Sequence, residues 1–192
     1  MQHKLLNALK SLVLALPLMA ASAQAQTVAA GPYYATPAWD QTLACTALNS
    51  CPRFIVLSNM NSRAVLDRET GLVWARDAID VGGDLSGSWS QAVQNCDHAH
   101  LATGRRGWRL PTAAELTSLL VVSPAPALLV GLPAGHPFVV PATLQQSSYW
   151  TASEDTLTAN PDRAKFVNIV SGGVGVASKD SALQVWCVRG GQ

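Results

Sequence analysis

The chain has 192 residues, a length that suits one folded domain behind a leader peptide. It carries 13 Lys and Arg residues against 12 Asp and Glu residues, a formal charge of +1. This balance leaves no basic footprint for phosphate groups, so we expect no nucleic acid as a partner.

Residues 1–25 have the order of charged and apolar residues that is typical of a secretory signal peptide. This segment contains Lys4 and Lys10 but no acidic residue. An apolar run follows the charged residues, and the small residues after it indicate a cleavage point after Ala25. Removal of both lysines leaves 11 basic against 12 acidic residues, a formal charge of −1. The alternative is a membrane anchor, but a span needs about 20 apolar residues, and this run is shorter and contains Pro17.

The predicted protein is exported, to the periplasm or the extracellular space, and is not inserted in a membrane after cleavage. A lipid anchor would need a cysteine directly after the cleavage point, whereas the first cysteine is Cys45. A second apolar stretch, residues 116–140, contains four prolines, which exclude a spanning helix.

Four cysteines in an exported chain predict disulfides. Three pairings are possible, and the closeness of Cys45 and Cys51 in the sequence favours that pair, which leaves Cys96 with Cys187. The second bridge closes a long loop and would contribute about 4 to 5 kcal/mol by the chain-entropy argument. A metal site is the alternative, but the cysteines lack the paired short spacing that such sites use.

We expect residues 26–60 to form a lead-in with a small disulfide loop and residues 61–192 to form the folded domain. Regular structure is expected to begin near Phe54. Two short extended runs, 65–67 and 72–76, are joined by four residues that end in glycine, which predicts a β-hairpin.

Two capping boxes predict two helices. One begins at Ser88 and predicts a first helix over residues 89–97. The other begins at Thr112 and predicts a second helix that contains three leucines. Residues 104–107 are expected to form a turn between these helices.

Residues 122–146 are rich in proline, and a long irregular segment of this kind is either functional or a tolerated insertion. Strand-forming residues recur in the last quarter of the chain, separated by turn signals. Together, the predicted helices, strands and disulfides indicate an α+β domain in which two helices pack on small antiparallel β-sheets. The four predicted strands cover residues 149–152, 166–170, 174–177 and 183–189.

Five short motifs occur in a recognisable order. Together they resemble the Lcl C-terminal domain family, over about residues 65–189. The resemblance implies a C-type lectin-like fold and a surface or periplasmic binding domain, in some members an adhesin for sulfated or other polysaccharides. This sequence departs from that pattern in having no collagen-like stalk and in its long proline-rich segment. The motifs are Asp67-Arg68-Glu69-Thr70-Gly71-Leu72-Val73-Trp74, Trp89-Ser90-Gln91-Ala92 before Cys96, Gly107-Trp108-Arg109-Leu110-Pro111-Thr112 with Glu115-Leu116, Tyr149-Trp150-Thr151-Ala152-Ser153 and Trp186-Cys187-Val188-Arg189.

Most motif residues are expected to be structural. Arg109 and Glu115 are expected to pair or cap a helix. The tryptophans supply a large apolar area, which predicts core positions, although an exposed ring that stacks on a sugar is the alternative. The tryptophans predicted to lie in the core are Trp74, Trp89, Trp108, Trp150 and Trp186.

Asn160, Asp162 and Asn168 are the candidate ligand-binding residues. Their carboxylate and amide oxygens resemble the calcium and sugar motif of true C-type lectins. The alternative is an ordinary turn, since Asn-Pro-Asp is also a common turn sequence.

Catalytic motifs such as a nucleophile elbow, a zincin helix or a Walker loop are not found in the sequence. His98 and His100 offer two imidazoles to a transition metal, but no third ligand is identifiable, and a histidine also fits a helix C-terminus. We predict no cofactor and no bound metal. An envelope enzyme, the second hypothesis, would draw on His98, His100, Asp84 and His136.

The sequence therefore predicts an exported, non-catalytic binding domain that recognises a carbohydrate or another surface polymer. A structural or protein-interaction component of the envelope is a third possibility. Ligand contacts are expected in residues 122–146 and 156–163, because binding surfaces usually lie on loops carried by a rigid scaffold.

Overall fold

The computed structural model describes residues 28–29, 43–45, 51–77, 86–122, 130–140, 148–155 and 160–190. The predicted signal peptide, residues 1–25, lies outside them. The helices are Trp89–His98 (α1), His100–Thr103 (α2) and Ala113–Ser118 (α3), and Ser58–Met60 forms a 3-10 turn. The strands are Val28–Ala29 (β1), Phe54–Leu57 (β2), Ala64–Asp67 (β3), Val73–Ala75 (β4), Ser86–Gly87 (β5), Trp108–Arg109 (β6), Val121–Val122 (β7), Val130–Gly131 (β8), Ser148–Glu154 (β9), Arg163–Asn168 (β10), Val174–Ser178 (β11), Leu183–Gln184 (β12) and Val188–Arg189 (β13).

Two larger sheets and one ribbon form the β-structure of the described residues. The six-stranded sheet has the order β1-β2-β3-β4-β13-β6, and the five-stranded sheet has the order β11-β10-β9-β12-β5. Strands β7 and β8 pair as a separate ribbon. Neighbouring strands are antiparallel except for β1 with β2 and β12 with β9. The predicted α+β class with small antiparallel sheets is confirmed.

The hairpin predicted near residue 70 is formed by β3 and β4, with Val65 opposite Trp74. Gly71 has the positive φ of 71° that the turn requires. Strand β2 pairs with β3 and includes the buried Phe54 and Val56. The predicted lead-in of residues 26–60 therefore contributes two strands, β1 and β2, to the six-stranded sheet.

Both predicted capping boxes are present. The Ser88 side chain accepts from the backbone of Gln91, whose side chain accepts from Ser88 in return. Thr112 and Glu115 make the same exchange at the start of α3. The short helix α2 was not predicted. It adds one turn after Ala99, which ends α1 and begins α2 with φ and ψ of −56° and −21°.

The prediction of one continuous last strand over residues 183–189 was wrong. These residues form two short strands, β12 in the five-stranded sheet and β13 in the six-stranded sheet. Trp186, only 1% exposed, lies between them and donates from Nε1 to the carbonyl of Ala75 at 2.8 Å. The chain crosses from one sheet to the other because this buried indole and the following Cys187 are fixed in the core.

The strand predicted at 166–170 is displaced toward the N-terminus and ends at Asn168. Its side-chain Oδ1 accepts from the backbone of Val170 at 3.1 Å and of Ser171 at 3.0 Å. This local bonding closes a turn and ends the strand, as Asn side chains commonly do.

Aromatic side chains from both larger sheets meet in one core around Trp186. Its ring centroid lies 6.0 Å from that of Trp74 on β4, 5.7 Å from that of Tyr149 on β9 and 5.1 Å from that of Phe138. Burial raises the pKa of Tyr149 far above its ordinary value, because the ionised phenol would be desolvated. The two larger sheets therefore share one hydrophobic core.

The cysteines pair as predicted, Cys45 with Cys51 and Cys96 with Cys187. The second bridge ties α1 to the residue before β13, across 91 positions of sequence. Within the part of the chain that the structure describes, no helix is long and apolar enough to cross a membrane.

Candidate functional site

A buried ion-pair cluster stands at the β2–β3 side of the six-stranded sheet. Arg53 donates from Nε and Nη2 to both carboxylate oxygens of Asp67, at 2.8 and 2.6 Å. Its Nη1 also lies 3.0 Å from a carboxylate oxygen of Glu69. Arg53 is 4% exposed and Asp67 is fully buried. Every charge in this cluster has a partner, so its role is structural.

A second arginine, Arg109, is paired as the sequence predicted. Its guanidinium donates to both carboxylate oxygens of Glu115, at 2.7 and 2.9 Å, and this hydrogen bonding raises the pKa of Arg109. Partial burial acts to raise the pKa of Glu115, but the bonds from Arg109 and Thr112 outweigh it, so that pKa lies below its ordinary value. The pair holds the start of α3 against β6.

We define the arginine turn as residues 104–107 together with Arg189 on β13. Gly104 and Gly107 bound the turn with φ values of 69° and 85°, a region that favours glycine. Between them lie Arg105 and Arg106, both exposed. Arg189 donates from Nε to the carbonyl of Arg106 at 2.6 Å, although the two residues are 83 positions apart. Three guanidinium groups are thereby brought to one turn.

Buried residues on the inner side of the arginine turn hold its backbone in place. Trp108 is 5% exposed, and its Nε1 donates to Thr103 Oγ1 at 2.9 Å. The same hydroxyl donates to the carbonyl of Ala99 at 2.9 Å, and the Gly104 N–H donates to the carbonyl of His100 at 2.8 Å. The turn is therefore held on its inner side by the end of α2 and the start of β6.

The charges of the arginine turn are not neutralised within the described residues. Among the residues that the structure describes, no ion pair involves Arg105, Arg106 or Arg189. The nearby carboxylate of Glu115 is already bound by Arg109. An arrangement of three cations without an acidic partner repels itself and attracts anions.

The sequence predicted residues 104–107 only as a turn, and the role of these arginines was not predicted. A local signal was present, since no acidic residue occurs between Asp97 and Glu115. Nothing local reveals that Arg189 joins them, because that contact is made through the pairing of β13 with β6.

The candidate ligand residues are divided between two turns. Asn160 Oδ1 accepts from the Asp162 N–H at 2.9 Å, and both residues are exposed. Asn168 lies at the other end of β10, about 16 Å from Arg163 at the usual rise of a strand. Its Oδ1 is engaged in its own turn. The structure thus keeps Asn160 and Asp162 together and places Asn168 elsewhere.

The four residues considered for an enzyme have unlike surroundings. His98 is exposed at the end of α1, and His100 Nδ1 lies 2.6 Å from the carbonyl of Asp97. His136 is half-buried, its Nδ1 accepts from the backbone of Phe138 at 3.2 Å, and burial lowers its pKa. The fourth, Asp84, lies outside the described residues. No cluster of three or more His, Cys, Asp or Glu able to hold a metal occurs among the residues that the structure describes.

Four of the five tryptophans predicted to lie in the core are buried there, and Trp89 is the exception. It is partly buried at the first position of α1, and Lys179 Nζ lies 4.5 Å from its ring centroid. The helix start is at the surface, so only part of the indole reaches the core. The prediction of a core position for Trp89 was wrong in that respect.

The described part of the proline-rich segment, residues 130–140, is anchored to the domain. Phe138 packs edge-on against Phe54 at 5.0 Å, and Arg76 donates to the carbonyl of Pro137 at 3.1 Å. The Val139 N–H donates to the carbonyl of Arg76 at 2.8 Å. This half of the segment is therefore part of the fold. Residues 123–129, 141–147 and 156–159, which include much of the predicted contact region, lie outside the described residues.

The comparisons with known proteins agree with the order of motifs. No curated protein sequence matches the chain. The family profile described as the Lcl C-terminal domain matches residues 63–189, which is more than half of the chain. That match includes the arginine turn, the Arg109–Glu115 pair and the Cys96–Cys187 bridge. The chain therefore belongs to the Lcl C-terminal domain family.

Proposed function

We propose that the chain is an exported, non-catalytic binding domain that recognises a polysaccharide or another surface polymer, with the arginine turn as its contact for anionic groups. The observation that carries this proposal is the set of three guanidinium groups, on a turn supported by buried residues, with no carboxylate partner within the described residues.

Guanidinium groups suit this role chemically. Their planar N–H donors match the oxygens of sulfate and carboxylate groups in a bidentate geometry. The guanidinium of Arg189 is already fixed to the backbone carbonyl of Arg106, so this side chain loses less freedom when an anion binds. A polymer that carries repeated anionic groups would gain further from binding at several points.

Export and the C-type lectin-like fold belong to the same proposal. Both disulfides are compatible with an oxidising compartment, where such bonds form and persist. The bridge from α1 to the residue before β13, and the helices beside antiparallel sheets, are compatible with the fold that the resemblance implies.

The test compares dextran sulfate with neutral dextran of the same length, by calorimetry. We expect the chain to bind dextran sulfate, and Arg105→Ala/Arg106→Ala to bind it about tenfold or more weakly. The control Arg63→Ala/Arg68→Ala removes the same charge from two exposed arginines outside the turn and should change the affinity less than about threefold. Binding should be the same with calcium and with a chelator. Equal losses in both double variants, or no preference for the sulfated polymer, would contradict the proposal.

A further inference from the structure

Trp89 presents a rigid, partly exposed indole at the surface. Its Nε1 donates to the carbonyl of Thr151 at 2.9 Å, and its backbone N–H donates to the carbonyl of Lys179 at 2.8 Å. The capping box at Ser88 fixes the backbone beside it. The ring is thus held by its polar edge, by its main chain and by packing against the hydrophobic core, so the face that Lys179 covers is the part open to a ligand once the lysine moves.

Lys179 lies over this ring. Its Nζ is 4.5 Å from the ring centroid and 3.5 Å from Glu154 Oε1. The side chain of Glu154 is 68% exposed. Cation–π contacts and ion pairs at exposed positions are both weak, so the lysine side chain can leave the ring at small cost.

The turn that contains Asn160 and Asp162 adjoins the lysine. The backbone N–H of Lys179 donates to the carbonyl of Asp162 at 2.8 Å. Since Asn160 Oδ1 is engaged by the Asp162 backbone, the polar atoms of the turn that remain for a ligand are its amide nitrogen and the Asp162 carboxylate. An aromatic ring, a lysine and two exposed carboxylates are therefore neighbours on one surface.

We infer that Trp89 is a stacking site for one neutral pyranose unit, uncovered when Lys179 moves off the ring, with Glu154 and Asp162 as acceptors for sugar hydroxyls. Glucose-configured units fit best, because their equatorial hydroxyls leave a flat face of C–H groups for the indole. This inference rests on the proposed function and adds a second contact to it. Trp89 is the first residue of α1 and the arginine turn follows α2, so α1, about 14 Å long at the usual rise, and α2 lie between them in the chain.

The test is titration of the full, disulfide-bonded chain with cellohexaose, followed by calorimetry and tryptophan fluorescence. We expect weak binding, at about millimolar concentration, with a change in emission. Lys179→Ala, which uncovers the ring, should bind about fivefold more tightly, and Trp89→Leu about tenfold or more weakly. Lys165→Ala is the matched control, because it removes a lysine on β10 that makes no cation–π contact with this ring in the described structure.

The inference is overturned if the chain does not bind cellohexaose at up to about 10 mM, or if Lys179→Ala and Lys165→Ala have equal affinities. Lys179→Ala keeps the test decisive if Trp89→Leu fails to fold. The arginine-turn double variant should bind cellohexaose as the unchanged chain does. Binding of dextran sulfate without cellohexaose would reject the stacking site alone, and the reverse result would reject the arginine turn alone.

Discussion

At one side of the six-stranded sheet, Arg53 is buried against the carboxylates of Asp67 and Glu69, whereas at the other side Arg105 and Arg106 are exposed and unpaired within the described residues. The residue type is the same, but its surroundings differ. Removing one partner from the buried group leaves an uncompensated charge in the interior. Removing an arginine from the exposed group relieves repulsion between like charges.

An arginine therefore has no fixed role in this fold. The atoms that its guanidinium contacts determine whether an arginine stabilises the fold or is available to a ligand. Arg53 uses its donors on Asp67, Glu69 and the carbonyl of Ser118, so few donors remain for a ligand. The arginine turn keeps most of its donors, which is why we assign binding to that side of the sheet and stability to the other.

The largest effect is expected from Asp67→Ala. This change leaves the Arg53 charge buried without its main partner, and the free energy of unfolding should fall by about 3 to 5 kcal/mol. Asp180→Ala, at an exposed carboxylate, should change it by less than about 0.5 kcal/mol. Chemical denaturation measures both values. An equal effect of the two changes would contradict the structural role of the buried Arg53–Asp67 pair.

A smaller loss is expected from Trp108→Phe beneath the arginine turn. The change removes the bond from Nε1 to Thr103 Oγ1 and some buried volume, at a cost of about 1 to 2 kcal/mol. Affinity for dextran sulfate should fall as well, because the support of the turn loosens. Unchanged affinity with lowered stability would show that the turn does not depend on this indole.

Glu115→Gln removes the charged partner of Arg109, an arginine of intermediate exposure. The amide keeps the acceptor of the capping box but loses the charge that pairs with Arg109, so we expect a loss of about 1 kcal/mol at neutral pH. The pKa of Glu115 is lowered in the folded state, so its stabilisation is present above its ordinary value of 4.5 and is lost as the pH falls through the folded pKa. Denaturation curves of the two proteins should therefore converge under acid conditions.

His136 belongs to neither arginine cluster, and its protonation should make the stability of the fold depend on pH. Its pKa is lowered by burial, so the unfolded chain binds the proton first and stability falls as the pH drops below the ordinary value of 6.5. The loss should reach up to about 1 kcal/mol near pH 5.5, and His136→Asn should remove it. His98→Asn, at the exposed end of α1, is the control. An equal acid sensitivity of wild type and His136→Asn would show that another group causes it.

The features read correctly from the sequence depend on local bonding or on residue counts. The capping boxes at Ser88 and Thr112 join residues three positions apart, so their pattern is visible in the sequence. The disulfides followed from an even number of cysteines and from the separation of Cys45 and Cys51. The order of the five motifs correctly predicted membership of the Lcl C-terminal domain family.

The features that were missed depend on contacts between distant residues. Trp186 divides the last strand in two because both sheets pack around it, and this packing leaves no local signature. Trp89 has the same composition signal as the buried tryptophans, yet its place at a helix start keeps it at the surface. The arginine turn is completed only by Arg189, from the far end of the chain.

The salt dependence of binding to dextran sulfate shows whether the arginine turn contacts anionic groups. If Arg105, Arg106 and Arg189 contact anionic groups, the logarithm of the affinity should fall linearly with the logarithm of the salt concentration. The slope should fall by about two, and the free energy of unfolding should change by less than about 0.5 kcal/mol, in Arg105→Ala/Arg106→Ala. An unchanged slope in this double variant, with binding retained, would contradict the assignment of binding to the arginine turn.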